Sequence, residues 1–280
     1  MSDVNQALDQ HYSDRLSANQ ILAEVDRLFP DLASPGDFAA IDQLHLGGRG
    51  ATLKQLDAMS ITADYRVLDI GCGLGGSARL IADRYHCPVV GVDITADFCA
   101  LAEALNQRLK KSLPVAFVQA DATQLPFNDK SFDLLISQHC IMNVAEPEKA
   151  LAEFRRLLKP GGRLLLHEVL QGEQSPPYYP VPWASAANHS FLLDEAKLRQ
   201  LLSSAGLQIE HFEDLSDTAL SWRKHHQQKP QRTSTDDRPL LSPKLIFGDR
   251  FPLMAQNLLR NLDESRVRVI SMSTCDTGAC

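Results

Sequence analysis

The chain of 280 residues lacks any run of about 18 apolar residues, the length a membrane-crossing helix needs, so no span is expected. Residues 1–15 lack a basic segment followed by an apolar one, so no secretory leader is expected. Positive charge is in short supply: 28 basic residues face 35 acidic ones, for a net charge of −7. That leaves no basic footprint for a nucleic-acid backbone or an anionic lipid surface. Cysteine is sparse too. Cys72, Cys87, Cys99 and Cys140 are scattered with no zinc-type pair, so no metal site is expected and they read as reduced thiols of a cytoplasmic protein. Cys275 and Cys280 stand in the last residues, where a loose, neutral tail is expected; a disulfide or metal pair is the alternative. No internal repeat occurs. What is present is ordinary globular composition, 44% hydrophobic and 22% charged, enough for one elaborated domain or one domain with a cap.

Residues 5–29 carry Leu16, Ile21, Leu22, Val25 and Leu28 at near-helical spacing and predict one or two amphipathic helices. Residues 51–59 also look helical. A different rhythm then begins. Short apolar runs at 65–70, 88–92, 115–119, 132–137 and 163–168 predict strands, and 77–85, 98–110 and 148–158 predict the helices between them. Residues 159–162, Lys-Pro-Gly-Gly, read as a turn. Strands of about five residues alternating with helices of about ten argue for βαβ units and a doubly wound, mostly parallel α/β sheet. After residue 170 the pattern changes. Pro176, Pro177, Pro180 and Pro182 mark a loop, and Asp194 and Gly206 bracket a helix as N-cap and terminator. Strands at 207–212 and 267–272 close the sheet, with helices at 218–226 and 250–261 and a polar, mobile linker at 227–239 between them. Four segments follow: a helical lid at 1–60, a core at 61–213, a cap insertion at 214–264, and a last strand with a tail at 265–280.

Gly71, Gly73 and Gly76 match G-x-G-x-x-G after the first strand. Such a loop turns a strand sharply into a helix and lets a ligand approach the backbone. Dinucleotides and S-adenosylmethionine both use it. Asp69, two residues before the first glycine, separates them: an anion there opposes a pyrophosphate but suits a sulfonium and an ammonium. Asp93 ends the second strand, where a carboxylate can accept from both ribose hydroxyls. Asp121 follows the third, where an adenine amino group needs an acceptor.

Val67-Leu-Asp-Ile-Gly-Cys-Gly73, Gly91-Val-Asp93, Asp121-Ala-Thr-Gln-Leu-Pro-Phe127, Ser131-Phe-Asp133 and Leu158-Lys-Pro-Gly-Gly162 together resemble the successive motifs of class I S-adenosylmethionine-dependent methyltransferases. The resemblance covers residues 45–170 and implies a seven-stranded sheet and that cofactor. It also implies Gly71 and Gly73 along the methionyl part, Asp93 on the ribose with Ile94 packing on the adenine, Asp121 and Ala122 at the adenine edge, and Gln138 near the methionyl end. Leu44-His-Leu-Gly-Gly-Arg-Gly-Ala-Thr52 resembles the segment ahead of the core in the glycine, sarcosine and dimethylglycine N-methyltransferase group. It makes His45, Gly47 and Gly48 candidates for a cofactor lid; Tyr12 is a lid candidate or, preferentially, an ordinary amphipathic-helix tyrosine. Asp129 and Asp133 read as turn and strand-edge acids.

The acceptor should sit beyond the fourth and fifth strands. His139 is a candidate base or orienting donor, or a structural histidine. Cys140 and Met142 read as packing residues. Glu168 is a candidate for orienting an ammonium or His167, or is a structural carboxylate; His189 is a further catalytic candidate. The aromatic loop Pro177-Tyr178-Tyr179-Pro-Val-Pro-Trp183 is expected to wall the pocket or surround a cation. His225 and His226 are expected in solvent. The expected function is direct methyl transfer to a small-molecule acceptor, favouring nitrogen, with no nucleic-acid or membrane partner and a homodimer kept open. Carbon or oxygen transfer to a quinone- or polyketide-type metabolite, a nicotinamide-dependent oxidoreductase, and a non-catalytic cofactor-binding module are the alternatives.

Overall fold

The computed structural model describes residues 17–228 and 241–276. Seven strands form one sheet: β1 (Val67–Ile70), β2 (Val89–Asp93), β3 (Val115–Gln119), β4 (Phe132–Gln138), β5 (Leu158–Gln171), β6 (Leu207–Asp214) and β7 (Val267–Asp276), in the order β3-β2-β1-β4-β5-β7-β6. Neighbours among β1 to β5 pair in parallel, and β7 runs antiparallel to both β5 and β6. The strand order reverses between β1 and β4, so a crevice opens beyond their carboxyl ends. All four residues of β1 are buried, as a central parallel strand requires.

Helices α1 (Ala18–Leu28), α2 (Ala39–Asp42) and α3 (Gly48–Asp57) precede the sheet. Ile21, Val25, Phe38 and Ile41 from this region share a core with Leu80 and Ile81 of α4 (Gly76–Tyr85) and Leu101 and Leu105 of α5 (Ala96–Asn106). The other face is covered by α6 (Pro147–Leu157) and α7 (Glu195–Ser204) through Leu151, Phe154, Leu157, Leu198 and Leu202. Asp194 caps α7 as expected, its Oδ1 accepting from the Lys197 N–H at 2.7 Å. Helices α8 (Ser216–Gln228), α9 (Lys244–Phe247) and α10 (Phe251–Asp263) lie between β6 and β7 in sequence. They reach the carboxyl ends of the central strands: Leu258 of α10 joins Leu46, Met142 and Trp183 in a third cluster.

Several boundaries differ from expectation, each for a local reason. The helix expected over residues 98–110 stops at Asn106. Beyond it the backbone bonds to residue 33 instead, with Ala33 N–H donating to the Arg108 carbonyl and Lys110 N–H to the Ala33 carbonyl, both at 2.9 Å. The Lys-Pro-Gly-Gly segment is not a separate turn. It is an irregular stretch inside β5, where pairing steps from Phe132↔Leu158 to Leu134↔Arg163 and Gly161 takes φ 76°. The last strand is longer than expected, and Cys275 is buried within it opposite Arg163 and Gln208, not loose in a tail. Cys72, Cys87, Cys99 and Cys140 are free thiols. Gln227 and Gln228, expected in a linker, end α8. Tyr12, Leu16, Cys280 and the linker over 229–240 lie outside the described residues. No helix among the described residues is long and apolar enough to cross a membrane.

Candidate active site

β1 delivers the chain into a loop that only glycine can make. Gly71, Gly73 and Gly75 take φ of 72°, 52° and 80°, in the left-handed region. A Cβ on Gly71 would lie 2.6 Å from Cys140 Sγ, and one on Gly75 2.3 Å from Phe117 Cζ. Gly73 differs. Its missing Cβ would meet nothing within 4 Å, so the loop leaves open space there. Asp93, at the end of β2, ties the loop down: Oδ2 accepts from the Gly73 N–H at 2.9 Å and Oδ1 from the Thr95 N–H at 3.0 Å.

Above these strand ends lies a cavity of about 220 Å³. Asp69, Gly71, Gly73, Asp93, Ile94, Asp121, Ala122, Gln138, His45 and His139 all line it, from separate strands and the segment before β1. Sequence reasoning did not single out Asp42, Leu44, Leu46, Cys72, Ser77, Phe98, Asn143, Ile246, Phe247 and Leu258, which also line it. Ser77 sits one residue past the last motif glycine. Its hydroxyl donates to Gln138 Oε1 at 2.7 Å, a contact with no signature in either segment. Ile246 and Phe247 belong to the apolar run Leu245–Phe247, which was the available signal.

Charge at the glycine end is negative and desolvated. Burial pushes Asp69 up to about 7, and its Oδ2 has no partner among the described residues. Burial raises Asp93 as well. Gln138 links this end to the lid segment, with Nε2 donating to Thr52 Oγ1 and Gln55 Oε1, each at 3.3 Å. Thr52 Oγ1 in turn lies 2.8 Å from His45 Nε2. His45 Nε2 is also 3.1 Å from the Gly48 carbonyl, which only accepts, so Nε2 carries the hydrogen.

At the other end three histidines meet. The ring centroids of His45, His139 and His167 lie 5.0 to 6.0 Å apart, edge to face. Burial drives His45 down to about 4 and holds His139 and His167 well below the ordinary imidazole value, so all three are neutral at pH 7. His139 Nε2 and both ring nitrogens of His167 lack partners among the described residues. His139 takes φ 53°, rare for a side chain of this size, and its N–H donates to the His167 carbonyl at 2.7 Å. Among the described residues no group of three His, Cys, Asp or Glu is arranged to hold a metal ion.

Four expected contacts fall elsewhere. Glu168 does not line the cavity. It is buried behind it, where Oε1 accepts from Ser137 Oγ at 2.9 Å and from the Cys140 and Ile141 N–H groups at 3.2 Å. It therefore braces the turn that carries His139, and its pKa is pushed up to about 7 by burial. His189 is outside the lining too; its carbonyl accepts from Asn143 Nδ2 at 3.4 Å. Gly47 and Gly48 are absent from the lining because they shape the start of α3, where Gly47 takes φ 87°.

The aromatic loop divides. Pro182 and Trp183 line the cavity, whereas Tyr178 is held between the guanidiniums of Arg260 and Arg266, 3.8 and 4.1 Å from its ring centroid. The cation that Tyr178 faces is thus the protein's own. Cys140 and Met142 line the cavity as small and flexible packing, and burial raises the Cys140 thiol well above its ordinary value. Asp129 and Asp133 pair with Arg156 and Lys159, away from the site, at 2.8 and 2.7 Å. His225 and His226 are exposed.

Residues 68–166 match the model of the methyltransferase-domain family. The chain carries a methyltransferase domain. Over 171 residues it is 28% identical to phosphoethanolamine N-methyltransferase 1 of Arabidopsis thaliana, a stretch covering 61% of this chain and 34% of that enzyme. Over 147 residues it is 37% identical to demethylmenaquinone methyltransferase of Paenarthrobacter aurescens, covering 52% of this chain and 54% of that one. The chain thus spans only about a third to a half of the length of these curated relatives. A solved structure of Haemonchus contortus phosphoethanolamine N-methyltransferase 2, in complex with phosphomonomethylethanolamine and S-adenosylhomocysteine, shares the fold. Its TM-score is 0.70 at 18% identity, over 99% of this chain and 61% of that one. The fold matches that of the solved structure, and the sequence motifs imply S-adenosylmethionine as the molecule the site holds. The residues present fit that molecule. The unpartnered Asp69 Oδ2 suits a cationic group, and the open space at Gly73 admits one close to the backbone.

Proposed function

We propose that the protein transfers a methyl group from S-adenosylmethionine to a small-molecule acceptor by direct displacement. The observation that carries this reading is the buried, unpartnered Oδ2 of Asp69 at the mouth of a left-handed glycine loop, in the cavity that Asp93 and Asp121 share. Asp69, Gly71 and Gly73 would hold the methionyl part, Asp93 the ribose, and Ile94, Asp121 and Ala122 the adenine. Gln138 and His45 would close the methionyl end from the lid side. When bound, the cofactor supplies an activated methyl on a sulfonium. The chain's own residues orient the acceptor and exclude water. Nitrogen is the acceptor atom favoured here; the histidine–glycine segment resembles that of N-methyltransferases but does not fix the atom. Carbon or oxygen transfer is the second reading, with His139, which lines the cavity, as its candidate orienting group. In both readings the enzyme is cytoplasmic and acts on a small molecule.

Equilibrium binding of S-adenosylmethionine, with Asp93→Ala as the probe, tests the donor assignment. The variant should bind about tenfold or more weakly with an unchanged circular-dichroism spectrum. Equal affinity would remove Asp93 from the ribose, and preference for a dinucleotide would overturn the reading.

A further inference from the structure

We infer that the methyl acceptor is a primary or secondary amine, taken as its free base, and that Asn143 Oδ1 accepts its N–H. The inference deepens the nitrogen transfer proposed above and rests on it. Asn143 ends the short turn Ile141–Asn143 beyond β4 and lines the cavity. Met142 beside it and Trp183, its bonding partner, belong to the apolar cluster that includes Leu46 and Leu258, and all four line the cavity too. A polar atom set in such a wall needs a partner once a ligand displaces water from it.

Its neighbours fix which way the Asn143 amide points. Nδ2 donates to the Trp183 carbonyl at 2.9 Å and to the His189 carbonyl at 3.4 Å. Reversing the amide would set an oxygen against two carbonyl oxygens, so Oδ1 and Nδ2 cannot exchange places. The surrounding backbone is held as well. The Asn143 N–H donates to the Cys140 carbonyl at 2.9 Å, and the Phe191 N–H to the Met142 carbonyl at 2.8 Å. Oδ1 is neither bonded to another described residue nor sealed within the protein. It therefore stands open on a residue that lines the cavity, with lone pairs and no hydrogen to give.

An open amide oxygen suits nitrogen as the atom methylated. An amine must aim its lone pair at the methyl carbon, and an N–H held by Oδ1 sets that direction. During transfer a nitrogen–carbon bond forms from the lone pair, and the carbon–sulfur bond breaks with its electron pair going to sulfur. The N–H stays on nitrogen and grows more acidic as positive charge develops, so its bond to Oδ1 strengthens in the transition state. The product ammonium sheds a proton to water after release. A hydroxyl also donates, but it has to lose that proton as it is methylated, and an amide oxygen is no base. A carbon acceptor has no such hydrogen to offer. A carboxylate in the same place would favour the protonated amine, which has no lone pair; the uncharged carboxamide does not. A tertiary amine lacks the N–H, so transfer stops there.

Calorimetry on the full chain with S-adenosylhomocysteine bound, titrated in turn with N-methylaniline and N,N-dimethylaniline, tests the inference. Both nitrogens are uncharged at neutral pH, and only the first carries an N–H. N-Methylaniline should bind about tenfold more tightly, because the other covers the amide oxygen without pairing it. Equal affinity overturns the inference, as does failure of both amines to bind while the homocysteine product does. Failure of the product itself to bind sinks the methyltransferase reading instead. Given S-adenosylmethionine, N-methylaniline should be converted to the tertiary amine and no further, followed by mass spectrometry. A quaternary product, faster transfer to phenol, or no transfer at all overturns it. Asn143→Leu removes Oδ1 and should bring the two amine affinities within about twofold of each other. A wall that merely loosens weakens both amines together and keeps their ratio, so a preference that survives the change removes Asn143 from this role.

Discussion

Asp69 is a carboxyl group held at the edge of its own ionisation. Its pKa of about 7 comes first from burial, and nearby Asp93 adds to the rise. A cationic ligand favours the ionised form, so affinity climbs as pH rises through 7 and levels off above it. S-adenosylhomocysteine, which keeps the ammonium, should bind about tenfold more weakly at pH 6 than at pH 8, with protons released into buffer at the lower pH. Calorimetry in two buffers of different ionisation heat measures both. Asp69→Asn should flatten the profile; a pH dependence that survives the change would assign it to another group. In the free protein the sign is opposite. A carboxyl pKa raised by folding stabilises at low pH, and that contribution fades as pH rises through about 7. Asp69, Asp93 and Asp121 were legible in the sequence because each stands at or within two residues of a strand's carboxyl end, and those ends converge in a parallel sheet. The histidine cluster was only half legible. His139 follows β4 and His167 lies within the neighbouring β5, but His45 comes from another part of the chain, and nothing in its spacing says that it faces them.

Among the elements, the segment ahead of β1 and helix α4 are fitted at one glycine. A Cβ on Gly76 would fall 2.2 Å from the Asp42 carbonyl oxygen and 2.7 Å from its carbon, both backbone atoms. The same Asp42 holds the buried guanidinium of Arg79, one turn along α4. Gly76→Ala should therefore shift α2 away from the glycine loop and lower stability by about 1–3 kcal/mol. Denaturant melts read the stability, and product affinity should fall with it because His45 follows α2 directly. A melt and affinity matching the parent would show that the contact is slack. The motif marks Gly76 without saying what it must approach; its close neighbour is the segment ahead of β1, which a glycine pattern cannot reveal. Element type was otherwise well encoded. Five apolar runs became β1 to β5; the central β1 and β4, buried on both faces, need no alternation, while β3 lies at the sheet edge with no buried residue. Where boundaries slipped, at Asn106 and within Lys159–Gly162, backbone groups found partners far away in sequence.

At the scale of the whole molecule, the cavity is closed from both directions by chain remote from the glycine loop. His45, Leu44 and Leu46 arrive before β1, and Ile246, Phe247 and Leu258 after β6. The lid side is joined to the sheet by Gln138 through Thr52 and Gln55, at 3.3 Å each, long enough to tighten. Hydrogen exchange over residues 34–50 should slow about tenfold or more when S-adenosylmethionine binds. Exchange that ignores the ligand would make this segment a fixed wall. The amphipathic character of residues 250–261 was readable, yet not what its apolar side faces, because a stripe is silent about its partner.

The placement of α8, α9 and α10 between the last two strands has a consequence for how such a chain changes over time. The residues proposed to hold the donor come from β1 to β4 and the segment ahead of β1, while Ile246, Phe247 and Leu258 of the cavity wall hang from a connection at the far side of the sheet. A recombination or insertion confined to that connection would exchange one chemistry's customer for another and leave the methyl supply untouched.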